Sequence, residues 1–128
     1  MPTFELEEIK SVNGKIKFFD LIINGVNQQE NFTQRISTNK QFLSEYRTII
    51  SYMNHVANLG SIPGAKYHKF SGIMEKFHEH EFKTKHLRVY TFHLPDKGKI
   101  VVYWGFKSNQ KEDMDIFRSL KNQYLRKI

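Results

Sequence analysis

The chain has 128 residues, of which 39% are hydrophobic and 26% charged, with a formal net charge of +7 at neutral pH and no cysteine. A chain of this length suits a single domain with its own core, and the lack of cysteine excludes disulfides, thiolate metal sites and cysteine nucleophiles. Since no segment approaches the roughly 20 apolar residues of a membrane span and the N-terminal residues lack a signal-peptide pattern, we expect a cytoplasmic protein that does not enter a membrane.

The positive charge is concentrated in the last third of the chain. Residues 83–128 contain 11 lysines and arginines against four acidic residues, whereas residues 1–82 contain nine of each. Such asymmetry is typical of proteins that bind a polyanion, and nucleic acid is the usual one in cytoplasm. The alternative is a solvated basic surface that only aids solubility.

The N-terminal segment carries two conflicting patterns. Residues 4–12 predict a short strand, and the Asn13-Gly14 pair that follows is a strong hairpin signal, which predicts residues 15–23 as the returning strand. Residues 15–23 also fit helical spacing, and Asn24-Gly25 would end such a helix. The apolar residues with this spacing are Ile16, Phe19, Ile22 and Ile23.

The middle of the chain predicts one clear helix. Residues 27–40 are polar and non-periodic, which indicates a loop or a short helix. An apolar stripe at helical spacing then runs from Phe42 to Ala57, with Thr38 or Asn39 as the N-terminal cap and Gly60 as the stop. A breaker loop follows at residues 60–64, and another strand is expected near residues 73–83.

The last third predicts a hairpin and a helix. Residues 87–94 alternate as a strand, so that Arg88 and Val89 point to opposite faces. Residues 95–98 have turn chemistry, with Pro early and Gly late. Residues 100–106 are β-branched and aromatic, as in a central strand, and residues 112–128 read as a helix whose end charges suit its dipole.

Three pieces of this region carry a family resemblance. They are Arg88-Val89-Tyr90, Gly98-Lys99-Ile100-Val101, and Gly105-Phe106-Lys107 followed by Gln110-Lys111 and a helix. Their order and spacing resemble the C-terminal half of RelE/HigB-type toxins, members of the RelE/ParE superfamily in type II toxin–antitoxin systems. The resemblance implies a single RelE/HigB-like domain over residues 1–128 with an α+β fold, in which N-terminal helices pack on a small antiparallel sheet and a C-terminal helix closes it. It favours a helix for residues 15–23.

The resemblance also implies a function. The chain is expected to be an mRNA interferase, an endoribonuclease that cleaves ribosome-bound mRNA, arrests growth and needs no cofactor. Its expected partners are mRNA, the ribosome and a cognate antitoxin of the helix-turn-helix, HigA-like type. The alternative is a non-catalytic relative that poisons gyrase or binds nucleic acid, so catalysis itself stays open.

RNA cleavage through the 2′-hydroxyl needs a proton acceptor, a proton donor and cations for the charged phosphorane. The guanidinium of Arg88 suits the phosphate, and the resemblance assigns its position to the scissile phosphate. Histidine titrates nearest neutral pH. Glu79 and Glu81 stand where several family members carry lysine, so either one becomes the general base if it faces the cleft, and the base is unidentified if both face away. The candidate catalytic residues are Arg88, Lys107, His86 and Glu81, and the candidate RNA-binding residues are Lys83, Lys85, Lys111, Tyr90 and Tyr124. Arg88 and Lys107 are expected on one solvent-accessible surface.

A metal site is the competing interpretation of the histidines. His78 and His80 share a strand face, and such a pair can supply two zinc ligands with His68 or His93 as a third. The toxin family needs no metal, so no metal is expected.

Overall fold

In the computed structural model, which describes residues 2–70 and 77–128, a seven-stranded mixed sheet carries helices on both faces. The first three strands precede every described helix. A short 3₁₀ turn connects the last strand to the last helix. The elements are β1 Phe4–Glu8, β2 Phe18–Ile23, β3 Val26–Asn27, α1 Gln28–Arg35, α2 Lys40–Ala57, β4 Tyr67–Lys69, β5 Glu79–Lys83, β6 Leu87–Leu94, β7 Gly98–Phe106 and α3 Gln110–Lys127.

The expected N-terminal helices on a small antiparallel sheet are wrong. The strand order is β1-β2-β7-β6-β5-β4. β3 lies outside this order and pairs with Ile22 and Ile23 at the end of β2. The sheet is mixed because β2 runs parallel to β7, with Phe18 opposite Lys99, while the other pairs are antiparallel. Parallel neighbours need a long crossover, and α1 and α2 belong to the connection that provides it.

The helix expected over residues 15–23 is also wrong. Residues 18–23 form β2, and the second Asn-Gly pair, not the first, makes the tight hairpin. Asn24 and Gly25 both have positive φ, 51° and 78°, the conformation that a two-residue hairpin turn requires. Gly14 lies instead against the end of α2, where a Cβ would come within 2.6 Å of the backbone of Ala57.

The remaining predicted elements of the described residues are confirmed. The segment at residues 27–40 contains α1, α2 starts at an Asn39 cap that accepts a 2.9 Å hydrogen bond from the Phe42 amide, and α3 covers the predicted C-terminal helix. The hairpin is β6 and β7. Of the strand expected near residues 73–83, β5 is the described part, and residues 71–76 lie outside the described residues.

The two faces of the sheet bury two separate cores, one under α1 and α2 and one under α3. Arg88 and Val89 point to opposite faces as predicted, since Val89 belongs to the first core and Tyr90, two residues from Arg88, to the second. The first core includes Phe18, Phe32, Ile49, Met53, Phe82, Val89 and Trp104, and the second Leu21, Tyr90, Phe92, Ile100, Val102 and Phe117. Within residues 2–70 and 77–128, we find no helix with the length and apolar character of a membrane span.

Candidate functional site

A pocket opens where the β5–β6 turn and the end of β7 meet the first turns of α2. We name it the dyad pocket. Its volume is about 590 Å³, and it is lined by Phe42, Lys85, His86, Phe106, Lys107 and Ser108. Three of these residues, Lys85, His86 and Lys107, are candidates from the sequence, so the fold brings them to one surface.

A buried carboxylate from α2 fixes the histidine of the dyad pocket. Glu45 is only 6% exposed, and its side chain accepts four hydrogen bonds. The donors are the Thr84 hydroxyl (2.5 Å), the His86 amide (2.7 Å), His86 Nδ1 (2.6 Å) and Gln41 Nε2 (2.9 Å). The turn that carries His86 is therefore tied to α2 by one acidic side chain.

The donors around Glu45 keep its carboxylate ionised. Burial alone disfavours the charged form, but the hydrogen bonds from His86, Thr84 and Gln41 outweigh it and lower the pKa of Glu45 to about 2. The carboxylate therefore accepts a hydrogen bond from a protonated Nδ1 of His86. Nε2 is left as the nitrogen of His86 that can exchange a proton with a ligand.

Aromatic rings and cations surround this histidine. The side chain of His86 is 41% exposed, and its ring lies 5.4 Å from the ring of Phe42, which in turn lies 5.3 Å from Phe106. Lys107 is anchored beside it, because its amide donates to the His86 carbonyl at 2.8 Å. Lys85 and Lys107 are both exposed. The pocket thus combines an oriented imidazole, an apolar wall and two ammonium groups.

Four of the other sequence candidates lie on the α3 face of the sheet, in a group that we name the strand cluster. It consists of Glu81 and Lys83 on β5 and Arg88 and Tyr90 on β6, where Lys83 is the cross-strand partner of Arg88 and Glu81 that of Tyr90. Gln110, the first residue of α3, covers it and donates to both oxygens of Glu81, at 3.1 and 2.9 Å.

The expectation that Arg88 and Lys107 share a solvent-accessible surface is wrong. Arg88 is only 7% exposed, because its guanidinium turns back to the β5–β6 turn. Its Nη1 donates to the carbonyls of Thr84 (2.6 Å) and Leu87 (2.8 Å). Arg88 therefore holds the turn that carries His86 through Nη1, while its Nε is buried without a hydrogen-bond partner among the described residues.

Glu81 is buried more deeply than Arg88. Only 2% of the residue is exposed, and burial raises its pKa despite the opposing influence of Lys83, 3.9 Å away, and the hydrogen bonds from Gln110. A carboxyl group in this position has the chemistry of a general base but is covered by α3.

The two candidate tyrosines belong to the core. Tyr90 is fully buried and stacks on Phe117 with 5.6 Å between ring centroids, and Tyr124 is 6% exposed and packs edge-on against Phe4. Neither ring is available for base stacking in this structure. Lys111 is exposed in the first turn of α3.

Sequence reasoning missed three groups of the dyad pocket, namely Glu45, Phe42 as a wall residue, and Phe106. The signal for Glu45 was its position, because residues 45, 49, 53 and 56 recur at helical spacing and all four are buried. A single carboxylate within an apolar stripe needs a partner. Here that partner is His86.

The histidine motif does not assemble a metal site within residues 2–70 and 77–128, where no group of three or more potential ligands lies together. Comparisons with protein-family models, with curated proteins and with solved structures find no match to this chain.

Proposed function

We propose that this protein is an endoribonuclease, the mRNA-cleaving toxin of a toxin–antitoxin pair, and that its chemistry takes place in the dyad pocket. The observation that carries the proposal is the buried Glu45 carboxylate, which orients an exposed imidazole beside two lysines. A histidine held by a carboxylate through Nδ1 is a general base whose other nitrogen faces the reactant. The net charge of +7 supports a polyanionic substrate.

The proposed reaction uses the 2′-hydroxyl of RNA as the nucleophile. Nε2 of His86 accepts the 2′-hydroxyl proton as the 2′-oxygen attacks phosphorus, and the bond from phosphorus to the 5′-oxygen breaks. The ammonium group of Lys107 gives a proton to the departing 5′-oxygen. The products are a 2′,3′-cyclic phosphate and a 5′-hydroxyl end, and no external oxidant, reductant or metal enters the balance.

The remaining walls of the pocket fit the rest of a nucleotide. Lys85 and Lys107 supply positive charge for the phosphorane, and the rings of Phe42 and Phe106 form an apolar surface on which an unpaired base can stack. This arrangement favours single-stranded RNA, because only an unpaired base offers its face.

In this proposal Arg88 and Glu81 support the pocket from the other side of the sheet. Arg88 fixes the Thr84 and Leu87 carbonyls on either side of His86, so it acts as a positioning residue. This differs from the role that the family resemblance implies for the strand arginine.

The proposed partner is an antitoxin with an acidic segment. A basic pocket with an apolar wall can be covered by a chain segment that carries carboxylates and one or two apolar side chains and folds on binding. Helix-turn-helix antitoxins of the HigA-like type are the partners that the resemblance implies. Association is expected to be faster at low salt, since opposite charges steer the encounter.

The test compares His86→Gln with His78→Gln, a matched change at an exposed histidine outside the pocket. Purified proteins with equal circular dichroism spectra are incubated with 5′-labelled single-stranded RNA, with and without ribosomes, and the product ends are identified. Expression in a bacterial host reports growth arrest. We expect His86→Gln to lower cleavage by about 10²–10⁴-fold and His78→Gln to leave it unchanged.

Two outcomes would overturn this proposal. Equal cleavage by both variants would remove the dyad pocket from the reaction. Growth arrest by the wild-type protein with intact RNA, a DNA-damage response and filamentation would identify the gyrase-poisoning alternative instead.

A further inference from the structure

A second basic cluster lies on the α1/α2 face of the sheet, at the other end of the strands from the dyad pocket. Two cross-strand rows form it. In the first, Lys69 on β4 is opposite His80 on β5, and in the second, His93 on β6 is opposite Lys99 on β7. His93 lies two residues beyond Thr91, the cross-strand partner of His80. Directly opposite side chains begin about 5 Å apart and diagonal ones about 7–8 Å apart, so these groups form one patch.

The lysine at the centre of this patch is buried without a counter-charge. Lys99 is 9% exposed, and among the described residues no carboxylate lies within ion-pair or hydrogen-bond distance of its ammonium group. Burial lowers the pKa of Lys99, and the positive charge of Lys69 lowers it further. An ammonium group on a largely buried side chain, with no opposite charge beside it, is stabilised when an anion joins it.

The tautomers of the two histidines follow from the burial of one ring nitrogen in each. In both His80 and His93, Nδ1 is buried without a hydrogen-bond partner in the described part of the chain. A proton on Nδ1 would leave a buried donor unsatisfied, so the neutral rings carry their proton on Nε2. The ring of His80 is also fixed, because it stacks on Tyr67 with centroids 4.4 Å apart and an interplanar angle of 7°.

The charges around the histidines are all positive. Burial, and then the charges of Lys99, Lys69 and the other histidines nearby, lower the pKa of His80 to about 4, and burial with Lys99 and His78 lowers the pKa of His93. No carboxylate contributes to either shift. The patch therefore combines hydrogen-bond donors and positive charge, with no carboxylate beside them among the described residues.

We propose that His80, His93 and Lys99 form a binding site for a phosphate dianion, with Lys69 and His78 at its rim. Two imidazole N–H donors and one ammonium group match the terminal oxygens of a phosphate, which carries more charge than a carboxylate and accepts more hydrogen bonds. The dianion is either free phosphate or the terminal phosphate of a nucleotide. The site is separate from the dyad pocket and does not depend on RNA cleavage.

The experiment follows the side-chain nitrogen resonances of the histidines by NMR in the ¹⁵N-labelled full chain. Three probes are titrated at constant ionic strength, namely inorganic phosphate, adenosine 5′-monophosphate and adenosine. We expect saturable shifts of the His80 and His93 resonances with phosphate, with a dissociation constant on the order of 1 mM or tighter, and none with adenosine. Shifts with the monophosphate as well would include nucleotides among the ligands, and shifts with phosphate alone would restrict the site to the free ion.

Three variants make the test specific. Lys99→Met and, separately, His93→Gln should each weaken phosphate binding about tenfold or more, because each removes one donor to a charged ligand. Lys107→Met, an exposed lysine of the dyad pocket, should leave the His80 and His93 shifts unchanged. The proposal is overturned if phosphate gives no saturable shift, if sodium chloride gives the same shift, or if folded Lys99→Met and His93→Gln both bind phosphate as the wild type does.

Discussion

Two buried carboxylates, Glu45 and Glu81, lie on opposite faces of the sheet, and their surroundings shift their pKa values in opposite directions. Glu45 accepts four short hydrogen bonds, which lower its pKa to about 2. Among the described residues, Glu81 has only the side-chain amide of Gln110 at bonding distance and Lys83 at 3.9 Å, and burial raises its pKa. Because both residues are buried, the different number of donors accounts for the opposite directions of the two pKa shifts.

This difference separates the roles of the two regions. The ionised Glu45 orients an exposed imidazole, so the dyad pocket has a reactive group that a ligand can reach. The strand cluster keeps Glu81 and Arg88 under α3, which is itself held by the buried ion pair of Lys121 with Glu79 and by Arg118, whose Nη2 lies 3.0 Å from the same carboxylate. In the proposed function, the chemistry therefore belongs to the α2 face and structural support to the α3 face.

The largest expected effect comes from Glu45→Gln, which would break the orientation of His86. A glutamine amide turned toward Nδ1 favours the wrong tautomer, and the positioned base is lost. We expect RNA cleavage to fall by about 10²-fold or more, with a changed pH–rate profile. The control is Glu81→Gln, which should keep the wild-type profile. A Glu45→Gln protein with unchanged cleavage would show that the dyad is only structural.

The pH dependence of stability should distinguish the two carboxylates by sign. The pKa of Glu45 is lowered, so its contribution is present above pH 4.5 and is lost as the pH falls toward about 2. The pKa of Glu81 is raised, so its contribution is present below pH 4.5 and is lost as the pH rises through the raised value. For Glu45 the shift corresponds to at most about 3 kcal/mol.

Urea unfolding from pH 2 to pH 8 measures both contributions. Glu45→Gln should flatten the loss of stability at acidic pH, whereas Glu81→Gln should raise stability at neutral pH relative to the wild type. Asp20, whose pKa burial raises to about 6, acts in the same direction as Glu81 and is present in all these proteins. If the free energy of unfolding depends on pH in the same way in both variants, the proposed difference between the two carboxylates is wrong.

How much of the fold could be predicted from the sequence depends on how far apart in the chain the interacting residues lie. Local patterns predicted α2, α3 and the β6–β7 hairpin, because spacing and turn residues determine them. The parallel pairing of β2 with β7 joins residues about 80 positions apart, Phe18 and Lys99, and no local pattern encodes it. The returning strand that Asn13-Gly14 predicted is present as β2, which pairs antiparallel with β1, but residues 9–17 connect the two strands, and Gly14 lies against the end of α2.

The site shows the same limit. Charge clustering indicated Lys85, His86 and Lys107, which the turn and the end of β7 bring together. The strand alternation correctly separated Arg88 from Val89, but it could not show that Arg88 turns back to the turn carbonyls. The partner of His86 comes from α2, 41 residues earlier in the chain.

Arg88→Met tests the supporting role of the strand cluster. The change removes two hydrogen bonds from a charged donor to the carbonyls of Thr84 and Leu87 while keeping the length of the side chain. We expect a loss of about 1–3 kcal/mol in the free energy of unfolding, measured by urea denaturation. The salt dependence of RNA binding should not change, because in the proposed role Arg88 is buried and binds backbone carbonyls instead of phosphate. If the Arg88→Met protein has wild-type stability but a weaker salt dependence of RNA binding, Arg88 contacts the phosphate after all.

The smallest effects belong to single lysines at the rim of the dyad pocket. If Lys85 and Lys107 each neutralise one phosphate, RNA binding to either alanine variant releases fewer counterions. The slope of log K against log salt should then become less steep by about one unit for each change. Fluorescence anisotropy with a labelled RNA between low and moderate salt measures that slope. Lys10→Ala, at an exposed position on the connection after β1, is the matched control and should leave the slope unchanged. Equal slopes for all three variants would mean that the RNA does not contact the dyad pocket, whichever face of the sheet carries the chemistry.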